Sequence, residues 1–166
     1  MEEFLQEEGY LLTENDELEF SVACSNIITD NQAFHIYPQI RFYIEKKGSF
    51  HLYDQSEILK TRNPFFSHKF IMPYTYEWSR RIRFELVDHR HSEEVLFLAQ
   101  AVFNLKELII SKQRKLRVNM SNLTQKICEI EVTWNIPKNS CKYLKLTTEL
   151  VDHNENKGWL FKKQKS

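Results

Sequence analysis

The chain has 166 residues, 42% apolar, 13% aromatic and 28% charged, a size and make-up that predict one globular domain with some additional chain. Its 23 Lys and Arg balance 23 Asp and Glu, but eight of the acids fall in residues 1–19, where no Lys or Arg occurs, so the rest of the chain carries +8. With only three glycines, Gly9, Gly48 and Gly158, neither a G-x-G-x-x-G turn nor a phosphate-loop cradle can be written, which excludes nucleotide-binding enzymes of those types.

Residues 1–16 read as an acidic leader. From there the dominant pattern is period-two alternation, which places one set of side chains on a buried face and the other in water. A first strand has Leu18, Phe20, Val22 and Cys24 inward, and a second has Ile40, Phe42 and Ile44 inward before a turn at Lys46-Lys47-Gly48. Strands are expected next over residues 52–60, over 66–72 with Phe66, His68, Phe70 and Met72 on one face, and over 81–87 with Ile82, Phe84 and Leu86 inward. Asn63-Pro64 and Pro73 supply the punctuation between them.

Residues 95–103 are apolar on both faces, which predicts a central strand covered on both sides. Asn104, with Glu107 three residues on, then caps one short helix. A basic stretch, Lys112, Arg114, Lys115 and Arg117, leads into a strand at 116–120. The last clean strand turns Cys128, Ile130, Val132, Trp134 and Ile136 inward and stops at Pro137. The sum is an all-β, eight-stranded antiparallel β-sandwich over residues 17–137 with one short helix. A further alternation, Leu144, Leu146, Thr148 and Leu150, opens residues 138–166, which close on a basic tail.

No apolar run is long enough for a transmembrane helix, and Glu2-Glu3 after Met1 is unlike a secretion signal, so the expected location is cytoplasmic. Three cysteines, Cys24, Cys128 and Cys141, form no C-x-x-C pair and read as buried thiols of a reducing compartment. An immunoglobulin-like sandwich would alternate in the same way. It would enclose a Trp between two paired cysteines, and although Trp78 falls between Cys24 and Cys128, their separation exceeds what such a domain allows.

The order of the segments, with Asn63-Pro64-Phe65-Phe66 opening one strand, Arg83-Phe84-Glu85-Leu86-Val87-Asp88 closing another and Ser21-Val22-Ala23-Cys24-Ser25-Asn26 leading into a loop, resembles a C2 domain. The nearest subtype is the first C2 domain of the copine family. Residues 138–166 then resemble the linker, first strand and first loop of a second C2 domain, cut short.

The resemblance implies two loops at one end of the sandwich that in calcium-binding members supply five carboxylates, since a hard divalent cation needs six to eight oxygens. In residues 29–38 the expected aspartates fall near Thr29 or Asp30 and at Tyr37. In the other loop Asp88 matches the first aspartate, Arg90 occupies the second position, and Glu93 or Glu94 approaches the third. Two or three carboxylates of five remain, and a guanidinium stands where the cation would sit. The resemblance therefore implies a non-catalytic, calcium-independent module that binds phospholipid membranes, with no cofactor.

Membrane contact would fall to apolar loop residues and basic faces. The candidates are Phe34, Ile36 and Tyr37 in one loop, Val95 and Leu96 beyond the other, and His35, His89, Arg90 and His91 beside them. Lys60 with Arg62 and Arg81 with Arg83 are expected to share strand faces and, with 112–117, to favour an anionic phospholipid membrane. A protein-interaction scaffold without lipid affinity is the alternative. A metal-dependent hydrolase built on His89-x-His91 with Asp88 is a remoter one, lacking a third ligand of recognisable spacing. Basic residues dispersed over several strands give no nucleic-acid face.

Overall fold

A computed structural model of the chain describes residues 16–32, 34–74, 80–91 and 93–137. The expected acidic leader up to residue 15, Trp78, Cys141, the side chain of His91 and the beginning of a second domain in 138–166 lie outside the described residues. The chain divides into two units. One comprises Met1–Leu18, Pro73–Thr75 and Ile136–Ser166, and in its described part the Tyr74 N–H donates to the Asp16 carbonyl at 2.9 Å. The other, Glu19–Met72 with Tyr76–Asn135, carries nearly all of the sheet structure.

Eight antiparallel strands form, in chain order β1 (Glu17–Ser25), β2 (Pro38–Lys46), β3 (Ser49–Gln55), β4 (Phe70–Pro73), β5 (Arg81–His91), β6 (Glu94–Asn104), β7 (Lys115–Ser121) and β8 (Lys126–Asn135). Their neighbour order is β3-β2-β5-β6-β7-β8-β1-β4. Only the pair Gln100↔Ser121 joins β6 to β7, so the ladder amounts to two four-stranded sheets sharing one seam. This is the β-sandwich expected from the alternation.

The alternation works because every second side chain of β1 and β8 is buried, from Leu18 to Cys24 and from Cys128 to Trp134. Between the sheets, Phe42 of β2 and Phe84 of β5 stack at 5.0 Å, while Phe20 of β1 and Phe70 of β4 meet Phe42 from the other sheet at 5.9 and 5.3 Å. Such offset and edge contacts between rings add to the burial of their area. Cys24 and Cys128 are buried free thiols on neighbouring strands beside Met120. Positive φ at Lys47 (52°) and Gly48 (81°) makes the two-residue hairpin turn between β2 and β3, a conformation that suits Gly48. The helix α1 (Leu105–Ile109) starts where Asn104 Oδ1 accepts the Lys106 N–H at 2.9 Å.

Three expected strands differ. The one expected over 52–60 ends at Gln55, because Ser56 folds back on β2: its N–H donates to the Ile40 carbonyl and its Oγ accepts the Ile40 N–H, each at 2.9 Å. The one expected from residue 66 begins at Phe70. The strand over 95–103 is not covered on both sides: Val95, Leu96, Phe97 and Val102 are exposed. Its first half belongs to a hairpin that outruns the sandwich. β2 pairs with β5 only as far as Pro38↔Asp88, while β5 and β6 continue to His91↔Glu94. Three residues of overhang amount to about 10 Å of free hairpin.

Candidate functional site

The antiparallel order brings four connections to one end of the sandwich: residues 26–37 between β1 and β2, 56–69 between β3 and β4, the β5–β6 hairpin tip, and 122–125 between β7 and β8. The second connection is stitched to the first. Asn63 Oδ1 accepts the Asn26 N–H at 2.8 Å, Pro64 supplies its carbonyl to Cys24 N–H at 2.9 Å, and the Phe66 N–H donates to the Val22 carbonyl at 3.1 Å. Glu57 closes its far side. Burial opposes ionisation of this carboxyl, but the N–H groups of Ser67 (2.7 Å) and His68 (3.2 Å) outweigh it and hold the carboxyl below its ordinary range.

Arg62 does not face solvent as one of a strand pair with Lys60, since neither lies on a strand. Its guanidinium reaches into the first connection and donates to Ile27 O (3.0 Å), Thr29 Oγ1 (3.2 Å), Asn31 O (3.3 Å) and Phe34 O (2.8 Å). Only a planar fork of five N–H donors can serve four acceptors so arranged. Arg62→Lys, which keeps the charge, is therefore expected to speed amide hydrogen exchange across the first connection by about tenfold with little change in global stability. Unchanged exchange there would show that the fork is dispensable. Lys60 lies 5.9 Å over the Tyr37 ring.

Asp88 occupies the centre of this end at 0% exposure. Its Oδ1 accepts the Tyr37 N–H at 2.8 Å, and its Oδ2 accepts Arg90 Nε at 2.9 Å and Nη2 at 2.8 Å. Arg90 thus neutralises Asp88, and the carboxylate ties β5 to the entry of β2. The His89 N–H donates to the Tyr37 carbonyl at 3.0 Å, and its Nε2 meets Gln39 Oε1 at 2.8 Å. Asp30, Glu93 and Glu94 are all exposed. Among the described residues no group of three or more His, Cys, Asp or Glu is placed to hold a metal ion.

The apolar candidates separate. Phe34 is 56% exposed, whereas Ile36 is 1% exposed: alternation carries Ile36, Pro38 and Ile40 inward together, so Ile36 is core and not a surface anchor. Val95 and Leu96 are exposed as expected. Sequence reasoning missed Ile28, Phe97 and Leu123, all exposed at the same end. Leu123 carries a legible signal, a single aliphatic residue inside the polar turn Asn122-Leu123-Thr124-Gln125. Of the twelve large apolar side chains exposed among the described residues, eight lie in these connections and this hairpin.

The remaining basic candidates lie elsewhere. Arg81 and Arg83 do share the outer face of β5, but Arg81 forms a fork on Glu45 at 3.1 and 2.6 Å, and Arg83 pairs with Glu85 at 3.0 Å while stacking on Tyr43 and Phe50. Burial and then the Glu85 carboxylate push the Tyr43 hydroxyl above its ordinary value. In the 112–117 stretch, Arg114 stacks on Trp134 and Arg117 pairs with Glu131 at 2.6 Å.

The sequence profile of the C2 domain family matches residues 21–120, most of the sandwich and three of its four loop-end connections. The chain belongs to the C2 domain family. No curated protein matches it. Among solved structures, it is similar to a single C2 domain, the A domain, of plant Extended Synaptotagmin 1, at 12% identity and a TM-score of 0.61 over 75% of this chain and 96% of that one. BON1-C2B is similar at 12% identity and 0.56, over 75% and 93%. The region of Extended-Synaptotagmin 2 that joins its SMP domain to two C2 domains is similar at 15% and 0.52, over 81% of this chain but only 30% of that one. At such identities the likeness is one of fold, and it is the fold of a single C2 module. No helix among the described residues is long and apolar enough to cross a membrane.

Proposed function

We propose that this C2 domain is a non-catalytic module that docks on phospholipid bilayers through its loop end without calcium. The observation that carries the reading is the concentration of exposed apolar side chains at that end, around an Asp88 whose two oxygens are already taken by Tyr37 and Arg90. Phe34, Val95, Leu96 and Phe97 come from separate segments, and each contributes about 1.5–3 kcal/mol when fully withdrawn from water. A cation near an anionic leaflet contributes about 1 kcal/mol, and Arg62 and Arg90 are already engaged internally. The apolar contribution therefore leads. Within the family, the segments 63–66 and 83–88 favour the first C2 domain of copines, with residues 138–166 as the beginning of a second.

The test is sedimentation with vesicles of mixed neutral and anionic phospholipid, in calcium and in EGTA. The bound fraction is expected to be equal in both and to fall at least tenfold in Phe34→Ser with Leu96→Ser. Binding that appears only with calcium would overturn the calcium-independent reading. No binding in either would favour the protein-interaction scaffold.

A further inference from the structure

Charge at the loop end points to a specific kind of bilayer. Residues 26–37, 56–69, 88–94 and 122–126 together hold five Lys or Arg and five Asp or Glu, so this end is neutral although the chain beyond residue 19 carries +8. Two of the five cations, Arg62 and Arg90, are held in internal hydrogen bonds, and Lys126 lies 3.5 Å from Glu129. An anionic leaflet would find no net positive field here, only side chains that leave water.

The fourth connection completes the apolar set. Asn122 Oδ1 accepts the Thr124 N–H, the Thr124 hydroxyl and the Gln125 N–H at 2.9–3.0 Å, and the Asn122 N–H donates to the Gln125 carbonyl at 3.0 Å. Such a turn holds its backbone without help from Leu123, whose side chain is wholly exposed. Leu123 adds nothing to the core, yet it stands at the same end as Ile28, Phe34 and the hairpin tip. These side chains come from separate connections and enclose no groove for a peptide. A cavity of about 210 Å3 lies elsewhere, on the outer face of the second sheet beside Ala23, Arg117 and Glu131.

We infer that the loop end docks on electrically neutral, zwitterionic phospholipid by apolar insertion, and that Leu123 inserts as a fourth anchor beside Ile28, Phe34 and the β5–β6 tip. This rests on the docking function proposed above and names its lipid class. The flat, uncharged interior boundary of such a bilayer matches a neutral end that presents several apolar tips at once.

The experiment measures partitioning of the full chain in EGTA onto vesicles of phosphatidylcholine alone and of phosphatidylcholine with phosphatidylserine, at low and high salt. Equal partitioning onto both, unaffected by salt, is the expected result, and Leu123→Ser is expected to lower it about tenfold. A dimethylaminonaphthalene label at Leu123→Cys, compared with the same variant labelled in buffer, should shift its emission to the blue on phosphatidylcholine. Partitioning that requires phosphatidylserine and collapses in high salt overturns the neutral-lipid inference while leaving membrane docking intact. An unchanged Leu123→Ser overturns the fourth anchor. Absence of binding to every vesicle overturns the docking function itself.

Discussion

Arg90→Ala is expected to lower the stability of the domain by about 3 kcal/mol, read as a shift of the urea unfolding midpoint without a change in slope. The magnitude follows from what is left behind. Asp88 is fully buried, and removing the guanidinium that contacts its Oδ2 at 2.8 and 2.9 Å strands a carboxylate in the protein interior with only the Tyr37 N–H at 2.8 Å. Partial exposure of Arg90, 21% at the side chain, admits some water and keeps the loss below that of a fully enclosed pair. Asp88→Asn introduced into the Arg90→Ala chain should recover part of it, because the stranded charge disappears. Strict additivity of the two substitutions would show that they are not coupled and sink the account. Calcium is expected to leave the midpoint of Arg90→Ala unmoved, since Oδ1 stays committed to Tyr37.

Phe42→Ala is expected to cost about 3–5 kcal/mol. Its ring touches Phe84 and Tyr53 within its own sheet and Phe20 and Phe70 of the other, so the cavity opens between the two sheets where neither can collapse inward alone. Leu123→Ala serves as the contrast and should stay within about 0.5 kcal/mol of the parent chain. A Phe42→Ala midpoint as close to the parent as that would mean the ring cluster is not the centre of the core.

The two residues also mark what can and cannot be read in a sequence. Phe42 announces itself, because Ile40, Phe42 and Ile44 alternate with polar neighbours and a strand has only two faces. The same periodicity misleads at 95–103, where apolar residues on both faces signify a hairpin running past the end of the sheets, and periodicity carries no information on where a partner strand stops. Ile36 escapes for the related reason that it continues the inward series of β2 before the strand begins. Asp88 and Arg90 are legible as residue types in a loop-bordering position. Their pairing with each other and with the Tyr37 backbone depends on a register between segments some fifty residues apart. Arg62 reads as a surface cation because charge is visible in a sequence, while the four acceptors that hold it are mostly carbonyls, which every residue possesses.

The overhanging hairpin has an implication for how this domain can change over generations. Beyond Pro38↔Asp88 it has no β2 neighbour and supports none of the ring packing, so substitutions there are screened by the surface it meets and not by folding. Its length, however, can vary only in steps. Since side-chain direction reverses at each residue, lengthening both arms by two residues preserves which faces Val95, Leu96 and Phe97 present, whereas a single-residue change in one arm exchanges them. Descendants of this sequence are thus free to extend or retract the tip in increments of about 7 Å, a ratchet that sets reach while the sandwich beneath stays as it is.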